Sequence, residues 1–476
     1  MNTRWASGIA LSLSLSLSGL VEVAWADCAE DPINDDGPEG YQETIGGWPP
    51  PAGGVFGFDE NHPKAALHKL GGSLATVWRG WYDDYQNGNY EQIWFDRSDD
   101  GGRKWDVLPG KERKVYYSHR TTGVNHTTSP VVAMSPPPGE PRIVVAWTRN
   151  QFQHTGPAMC NCSADGGVTW REQGDVEKIG TGHYRWASVA MTIDPVDAGQ
   201  DIVVVAVNDH INKTVGFRWA PVRTIVVGQD NECEFDPWSV WVPLDTGTQH
   251  DAEDQVVVEA GDDGTFGFAW RREYPTGDYE IVFRTFSIDS VNPINSSAVQ
   301  AVSDLQSAVY TNPSLAYLPS IAGSSVAPEV WWAAFTEVSP GAADARSGLI
   351  HVDSSLGPST WGTDLDVATG VPYAKLPSID LFRAGSMQNT DEHVFVGYIV
   401  PDNEPNEGIW ADHWIYERSG TAQPWNLQAS YQLDCENGYG ILRQAELILH
   451  DAMPQNLVGM WDNVLGPHTI EAGWAE

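Results

Sequence analysis

One pattern recurs along most of the chain: a short apolar strand after a polar cluster, a turn, and a second strand rich in Val and Trp. The first strands are predicted to begin near Ala65, Ser129, Trp186, Gln255, Ser314, Ser378 and Ala445, which are 57 to 69 residues apart. The second strands are predicted at Leu74–Trp78, Ile143–Trp147, Ile202–Val207, Phe266–Trp270, Val330–Phe335, Val394–Ile399 and Leu457–Trp461. Regular strand groups separated by Gly, Pro and Asp turns favour a β-propeller over a β-sandwich.

The last repeat is too short to form a complete sheet. Only 32 residues, Ala445 to Glu476, remain for it, which is enough for about three strands. The strand-like segment Tyr41–Ile45 precedes the first repeat and can supply the missing strand, which would close a ring of sheets. The sequence therefore predicts an all-β, seven-bladed β-propeller over residues 27–476, with six blades as the alternative.

Charge and composition exclude several classes of protein. The 476 residues carry 64 acidic against 27 basic side chains, a net charge of −37, so the basic footprint of a nucleic-acid-binding protein is missing. Past the N-terminus no apolar run is long enough to span a membrane. We therefore expect neither a nucleic-acid nor a membrane partner, and no motif predicts a cofactor or a metal site.

The N-terminus has the pattern of a secretory signal peptide. Arg4 gives a positive start, an apolar Leu/Ser run extends from Ile9 to Leu20, and Ala24-Trp25-Ala26 is an A-x-A cleavage site. A membrane anchor is the alternative, but the apolar run is too short for one. Residues 1–26 are thus predicted to be removed, and the protein is predicted to be exported to the periplasm or outside the cell.

Five cysteines follow the predicted signal peptide: Cys28, Cys160, Cys162, Cys233 and Cys435. An oxidising compartment permits disulfides, and the odd number leaves at least one thiol or an intermolecular bond. Closure of the last blade would bring Cys28 towards Cys435, so this pair is the preferred bridge. The Cys160-Asn161-Cys162 spacing is too short for a structural zinc site.

Two turns share the frame S-x-D-x-G-x-(T)-W. They are Ser98–Trp105, in which Lys104 replaces the Thr, and Ser163–Trp170, which is complete. The Asp can accept backbone N–H bonds across the turn, and the Gly can adopt a positive φ. This frame resembles the Asp-box (BNR) repeat of sialidase-like β-propellers. In that family the box is structural, so the resemblance implies the fold and no catalytic role for these residues.

The polar residues before each first strand are the candidate site. In a propeller the first strands surround the central channel, and the loops that enter them form one rim. The residues at this rim are His62, Asn125, His126, His183, Tyr184, Arg185, His250, Asp251, Glu253, Asp254, Tyr310, Asn312, Lys375 and Arg443. Together they would offer acids, bases and cations to a small ligand, although inner strands also carry polar residues that only hold water.

Two groups of rim residues suggest catalysis. His183, Tyr184 and Arg185 combine a base, a phenol and a fixed cation, and strand alternation would direct Tyr184 away from the other two. The segment His250–Asp254 is the densest acidic cluster. Its carboxylates could divide acid and base roles, bind calcium, or form a solvated loop.

We therefore predict His183 or Tyr184 as the proton-transfer group, with Asp251 or Glu253 as the alternative acid/base. The predicted substrate-binding residues are Arg185, Arg443, His126, Asn312 and Lys375. Arginine clamps carboxylates, so an acidic sugar is the expected ligand.

The resemblance to sialidases does not extend to their catalytic residues. In place of the family's F/Y-R-I-P motif this chain has His62-Pro63-Lys64-Ala65, and the family's acid/base and nucleophile match no unique positions. The leading hypothesis is a secreted enzyme that cleaves an extracellular glycan, as a glycoside hydrolase or a polysaccharide lyase. The alternative is a non-catalytic glycan-binding or surface-interaction propeller.

Overall fold

The structure is a computed structural model that describes residues 24–25, 42–46 and 58–475, with gaps in the last range. The gaps are residues 69–72, 85–87, 100–112, 120–125, 128–129, 137–139, 151–155, 172–176, 181, 228–229, 248–249, 263, 293, 304–308, 322–327, 339–347, 358–359, 363–364, 368–374, 387–388, 401–407, 418–424, 433–444, 450–456 and 464–468. Strands and turns make up the described part of the chain, in which no helix is found. Consequently no described helix could cross a membrane.

Hydrogen bonds join the described strands into seven sheets, which we label A to G. Two short strands come first in the chain: β1 (Ala24–Trp25) and β2 (Gln42–Gly46). Sheet A contains β3 (Phe58–His68), β4 (Ser73–Asp84), β5 (Gly88–Ser98) and β6 (Arg113–His119). Sheet B contains β7 (His126–Thr127), β8 (Val131–Met134), β9 (Ile143–Asn150), β10 (Ala158–Ser163) and β11 (Glu177–Lys178).

Sheets C, D and E follow the same order, with two short strands on the outer side. Sheet C contains β12 (Tyr184–Ile193), β13 (Gln200–Asp209), β14 (Thr214–Val227), β15 (Asp230–Phe235) and β16 (Val242–Pro243). Sheet D contains β17 (Ala252–Ala260), β18 (Thr265–Glu273), β19 (Tyr279–Ser287), β20 (Asn295–Ser296) and β21 (Gln300–Ala301). Sheet E contains β22 (Val309–Leu318), β23 (Val330–Val338), β24 (Gly348–Gly357), β25 (Thr360–Trp361) and β26 (Leu365–Val367).

The last two sheets each recruit a strand from the N-terminal region. Sheet F contains β27 (Lys375–Ser386), β28 (Asn389–Val400), β29 (Gly408–Tyr416) and β30 (Trp425–Gln432), and β1 pairs with β30 in parallel. Sheet G contains β31 (Ala445–Leu449), β32 (Leu457–Asn463) and β33 (Thr469–Ala475). Strand β2 pairs antiparallel with β33, so the predicted contribution of the 41–45 segment to the last sheet is confirmed.

All seven predicted second strands lie within observed strands, from β4 to β32. The first strands of consecutive sheets pack side by side along the chain order, from β3 and β8 to β27 and β31. Separate antiparallel sheets that pack face to face around their first strands are consistent with a β-propeller.

The core lies between neighbouring sheets. Each apolar cluster combines residues from two consecutive sheets, as between A and B, where Val77 and Phe95 meet Val145 and Trp147. The Trp residues at positions 78, 147, 270 and 332, which lie in the predicted second strands, are fully buried. Burial of aliphatic and aromatic side chains between consecutive sheets therefore stabilises the assembly.

The Ser163–Trp170 turn has the predicted geometry. The Asp165 carboxylate accepts hydrogen bonds from the Thr169 N–H at 2.8 Å and the Thr169 hydroxyl at 2.7 Å, and the Trp170 indole donates to the Gly167 carbonyl at 3.0 Å. Gly167 has a φ of +93°, and a Cβ there would lie 2.1 Å from the Phe95 ring. Only glycine fits this position, and the turn thereby docks onto sheet A.

A disulfide joins Cys162 on β10 to Cys233 on β15, so it links sheets B and C. Cys160 is a buried free thiol on the same strand, and burial raises its pKa. The predicted partners Cys28 and Cys435 lie outside the described residues. A structural disulfide is typical of proteins that fold in an oxidising compartment.

Candidate active site

A central cavity of about 890 Å³ lies among the first strands of sheets A to F. Its wall is formed by β3, β8, β12, β17, β22 and β27 and by the residues that directly follow some of them. The lining includes Lys64, Trp186, Gln255, Asn312 and Leu376 near the starts of their strands. A concave site with a few convergent polar groups is the usual place for a small ligand.

Four equivalent residues in this wall have a strained backbone. Trp186, Gln255, Asn312 and Leu376 have φ values of +44°, +53°, +53° and +54°. Each lies where the pairing register of its strand shifts, in β12, β17, β22 and β27. Such a bulge re-aims a side chain, and a non-glycine residue at positive φ costs roughly 1 kcal/mol or more. The same backbone bulge thus directs four different side chains towards one cavity.

Polar side chains of the first strands tie neighbouring sheets together. The Gln255 amide oxygen accepts hydrogen bonds from the Thr311 hydroxyl and the Asn312 N–H, both at 2.8 Å. The Ser188 hydroxyl accepts from the Val258 N–H at 3.0 Å in the same way. The side chains of Gln255 and Ser188 therefore serve the fold, since they accept hydrogen bonds from backbone donors of the neighbouring sheet.

Trp186 differs from its three counterparts because its side chain is large and 43% exposed. Most other described tryptophans are buried or half-buried between sheets. An exposed indole in a cavity wall offers an apolar face with little conformational freedom, which suits stacking on a sugar ring.

The predicted alternation at His183–Arg185 is confirmed. His183 is exposed, Arg185 is half-buried, and Tyr184 lies in the core between sheets B and C, where its ring stacks on Trp241 at 5.6 Å. Burial raises the pKa of Tyr184. Tyr184 therefore packs sheets B and C together, while His183 and Arg185 lie at the start of β12, next in sequence to Trp186, which lines the cavity.

The turn between β13 and β14 adds basic residues that the sequence reading did not single out. The His210 N–H donates to the His183 carbonyl at 3.0 Å, which fixes the turn beside the start of β12. Partial burial and then the positive charges of Arg185, His183 and Lys213 lower the pKa of His210, despite the opposing charge of Asp209. We call His183, Arg185, His210 and Lys213 the basic rim.

Glu253 lies below this rim, fully buried between sheets C and D. Its carboxylate accepts hydrogen bonds from the Trp270 indole at 2.9 Å and from the Val215 N–H at 3.2 Å. Burial raises its pKa to about 7, although these two hydrogen bonds act in the opposite direction. The side chain has no exposed surface, so in this structure it does not reach a ligand in the cavity.

Three further groups surround Glu253. His250 Nε2 lies 3.5 Å from Glu253 Oε1, His250 Nδ1 lies 3.9 Å from Asp245 Oδ2, and Arg272 contacts Asp245. Arg272 Nη1 also lies 3.7 Å from Glu280 Oε2. We call Asp245, His250, Glu253 and Arg272 the charged cluster.

The charged cluster also contains the donor set of a metal site. One ligand atom each from Asp245, His250 and Glu253 lies within 4.8 Å of the others. The Arg272 guanidinium contacts Asp245, so it partly balances the negative charge of Asp245 and Glu253.

The other predicted site residues are dispersed. Asp251, the residue before β17, is exposed, and Asn312 lines the cavity as one of the four strained positions. His126 and Lys375 lie on β7 and β27, but their side chains, like the whole of Arg443, lie outside the described part of the chain. Asp245, Arg272, His210 and Lys213 escaped the sequence reading because they come from other strands and turns.

No protein-family model and no curated protein matches this chain. Among solved structures it is similar to the α-L-arabinanase of Penicillium chrysogenum, at 14% identity over 92% of this chain and 99% of the other, with a TM-score of 0.46. The GH93 α-L-arabinofuranosidase of Fusarium graminearum is 12% identical over 74% and 93%, with a TM-score of 0.42. The Trypanosoma rangeli sialidase is 10% identical over 87% and 54%, with a TM-score of 0.41. Because these sequence identities are so low, the function is inferred from the residues of the site.

Proposed function

We propose that the protein is a secreted carbohydrate-active β-propeller that binds an acidic extracellular glycan at the mouth of its central cavity and cleaves a glycosidic bond in it. The observation that carries this proposal is Trp186, a large aromatic side chain held exposed in the cavity wall by a strained backbone. Strain of this kind concentrates at functional sites. The equivalent positions of β17, β22 and β27 hold Gln, Asn and Leu, so among these four described strands only β12 offers a stacking platform, and the cavity is asymmetric there.

The basic rim supports an acidic ligand. In a chain of net charge −37, His183, Arg185, His210 and Lys213 gather at one side of the mouth, next to Trp186. Arg binds carboxylates in a fixed planar geometry, and a local positive potential in an acidic protein would guide an anion to this mouth.

Two exposed groups are suited to proton transfer. His183 stands next to Arg185, so in a lyase the imidazole would take the proton beside a carboxylate that Arg185 neutralises. In a hydrolase Asp251 would protonate the leaving oxygen. Both groups belong to the predicted catalytic set and remain accessible.

We further propose a closed ring of seven sheets after a signal peptide at residues 1–26. Strand β1 (Ala24–Trp25) lies within that peptide, so sheet F of the mature protein would keep β27 to β30. The packing of β31 against both β27 and β3 supports closure of this ring. The hydrogen bonds of the Ser163–Trp170 turn support its assignment as an Asp-box. The disulfide supports export to an oxidising compartment.

Digestion of a panel of sialylated, uronic-acid and neutral glycans tests the activity. New ultraviolet absorbance from an unsaturated uronate would identify a lyase, and new reducing ends alone would identify a hydrolase. We expect Arg185→Ala and His183→Ala to lower activity on an acidic glycan, each by at least tenfold. Full activity in both variants would contradict the site.

A non-catalytic glycan-binding protein is the second candidate. The burial of Tyr184 and Glu253 favours it, because two of the four predicted catalytic groups do not face the cavity. Glycan binding without any cleavage across the panel would establish this candidate in place of the enzyme.

A further inference from the structure

His250 is a buried imidazole that lies between two carboxylates at distances too long for hydrogen bonds. Its side chain is 10% exposed, its Nε2 lies 3.5 Å from Glu253 Oε1, and its Nδ1 lies 3.9 Å from Asp245 Oδ2. A hydrogen bond between such groups would bring these atoms to about 3 Å or less. Burial, and then the positive charge of Arg272, lower the pKa of His250, so the neutral ring has a lone pair to donate.

His351, on sheet E, is also flanked by two carboxylates, and it differs from His250 in its distances to them. His351 Nε2 lies 2.5 Å from Glu337 Oε2, and its Nδ1 lies 2.9 Å from Asp366 Oδ1. Both ring nitrogens of His351 are therefore within hydrogen-bond distance of an acid. His250 has the same kind of neighbours, but the longer distances leave its lone pair available to a cation.

Negative charge exceeds positive charge around this imidazole. Asp245, Glu253 and Glu280 each lie within 4.0 Å of the Arg272 guanidinium. Arg284 acts on Asp245 from farther away and donates its hydrogen bonds to the neutral carbonyl groups of other residues. Three acids therefore face two guanidinium groups, and a buried excess of negative charge is costly unless a further positive charge joins it.

Hydrogen bonds from neutral donors orient both carboxylates towards the imidazole. Asp245 Oδ1 accepts from the Gly247 N–H at 2.8 Å, which leaves Oδ2 on the side of the ring. Glu253 Oε2 accepts from the Val215 N–H at 3.2 Å, and Oε1 accepts from the Trp270 indole at 2.9 Å while facing the ring. Carboxylates that bind metals are usually held by such outer contacts.

We propose that Asp245, His250 and Glu253 form a zinc site that fastens the loop before β17 to sheet D. Zinc accepts imidazole and carboxylate ligands, whereas calcium and magnesium take oxygen ligands. Two donors that are each about 2.1 Å from a tetrahedral ion lie about 3.4 Å apart, close to the 3.5 Å between His250 Nε2 and Glu253 Oε1. All three donor atoms lie within 4.8 Å of one another, so a small rotation of Asp245 completes the set and water takes the fourth position.

Arg272 does not prevent an ion from binding here. Its guanidinium contacts Asp245, but Nη1 also lies 3.7 Å from Glu280 Oε2, so Arg272 keeps an acidic partner when zinc takes the Asp245 oxygen. The side chains of Asp245 and His250 are each 10% exposed, which gives the ion a path from solvent.

The zinc site has a structural role that does not rest on the proposed function. None of its three ligands belongs to the described wall of the central cavity. The Glu253 N–H donates to the Lys213 carbonyl at 2.9 Å, so zinc on Glu253 also holds the turn between β13 and β14. A protein that binds zinc but none of the glycans would support this site and contradict the proposed function.

Zinc titration of the full-length protein tests the site. The protein is purified without a polyhistidine tag and treated with a chelator, and isothermal titration calorimetry then measures binding. We expect about one Zn²⁺ per chain with a micromolar or lower dissociation constant, and a higher melting temperature in saturating Zn²⁺. Ca²⁺ and Mg²⁺ should produce neither effect. A wild type that binds no stoichiometric zinc, or that binds Ca²⁺ in its place, would overturn the proposal.

His250→Gln and His351→Gln are the matched variants, since each removes one imidazole that lies between two acids. His250→Gln should weaken zinc binding by at least tenfold and abolish the rise in melting temperature, whereas His351→Gln should keep both. Unchanged zinc binding in a folded His250→Gln variant would mean an adventitious ion only and would overturn the site.

X-ray absorption of the zinc-loaded wild type tests the ligands even if His250→Gln does not fold. We expect a four-coordinate ion with one imidazole nitrogen, the remaining ligands oxygen and no sulfur. A sulfur ligand would assign the zinc to cysteine, and two or more imidazole ligands would assign it to other histidines. Either result would overturn the proposal.

Discussion

At the scale of single residues, the same backbone conformation serves structure at one position and exposes a side chain at another. Gln255 uses its strained position to bond Thr311 and Asn312 in the next sheet. Trp186, in the equivalent place, is 43% exposed. The bulge is therefore a feature of the repeat, and the side chain on it determines what each sheet offers to the cavity.

Replacement of Trp186 by Ala tests the stacking role. We expect the variant to fold normally and to bind its glycan about tenfold more weakly, because the apolar contact of the indole is lost. Leu376→Ala is the matched control, since Leu376 lines the same cavity with a φ of +54°. Isothermal titration calorimetry measures the affinity of both variants for the glycan. An equal loss of affinity in the two variants would contradict the stacking role of Trp186.

Asp165 is a residue whose whole role is local. Its carboxylate closes the Ser163–Trp170 turn through Thr169 and also accepts from the Ser163 hydroxyl at 2.7 Å. We expect Asp165→Ala to lower the free energy of unfolding by about 1–2 kcal/mol, since the backbone donor of Thr169 loses its partner. Urea denaturation measures this free energy of unfolding. Glycan binding that stays unchanged in the variant would show that the turn does not contribute to the glycan site.

At the scale of elements, the contacts between sheets are of different kinds. Apolar clusters fill the space between consecutive sheets, whereas the junction of C and D also encloses the charged cluster. Between B and C the Cys162–Cys233 bond crosses from one sheet to the next. At the described junctions from A–B to E–F, neighbouring sheets therefore depend on apolar burial, and at B–C and C–D also on a covalent or an ionic link.

Removal of the disulfide tests how strongly it joins sheets B and C. The bond joins positions 71 residues apart in sequence, and a loop of that length restricts the unfolded chain by about 4 kcal/mol. We expect a Cys162→Ser, Cys233→Ser double variant to unfold at a lower urea concentration than the wild type. A reducing agent should abolish the difference in stability between the wild type and the double variant, since the predicted Cys28–Cys435 bridge would be reduced in both.

At the scale of the whole molecule, electrostatics combines a net charge of −37 with a local basic rim. Mutual repulsion of the acidic groups opposes the compact state, and salt screens it. Salt also screens the attraction between the rim and an anionic ligand. The stability of the folded protein should therefore rise with ionic strength, whereas its affinity for an anionic ligand should fall.

We expect the melting temperature to rise as sodium chloride increases from about 0.01 to 0.15 M, where the Debye length falls from about 30 to 8 Å. Over the same range the affinity for an acidic glycan should fall severalfold, while affinity for any neutral glycan of equal length should stay constant. Calorimetry and titration measure the two effects. A salt-independent affinity for the acidic glycan would contradict the charge-based recognition.

The sequence by itself determined the strand groups and the pairing of β2 with the last sheet. These follow from local patterns: alternation within a strand, turn residues between strands, and a final repeat that lacks one strand. Alternation also placed His183 and Arg185 on the side opposite to Tyr184. The strand groups and the alternation need only neighbouring positions in the chain, whereas the pairing of β2 follows from the number of strands in the final repeat.

Only the tertiary structure decided what surrounds each rim residue. Glu253 meets Asp245, Arg272 and Val215 because three strands and a loop converge at the junction of sheets C and D. The pairing of Cys162 with Cys233 likewise depends on how two sheets face each other. Burial and pKa are properties of such neighbourhoods, which bring together residues far apart in sequence, and no pattern within a single strand encodes them.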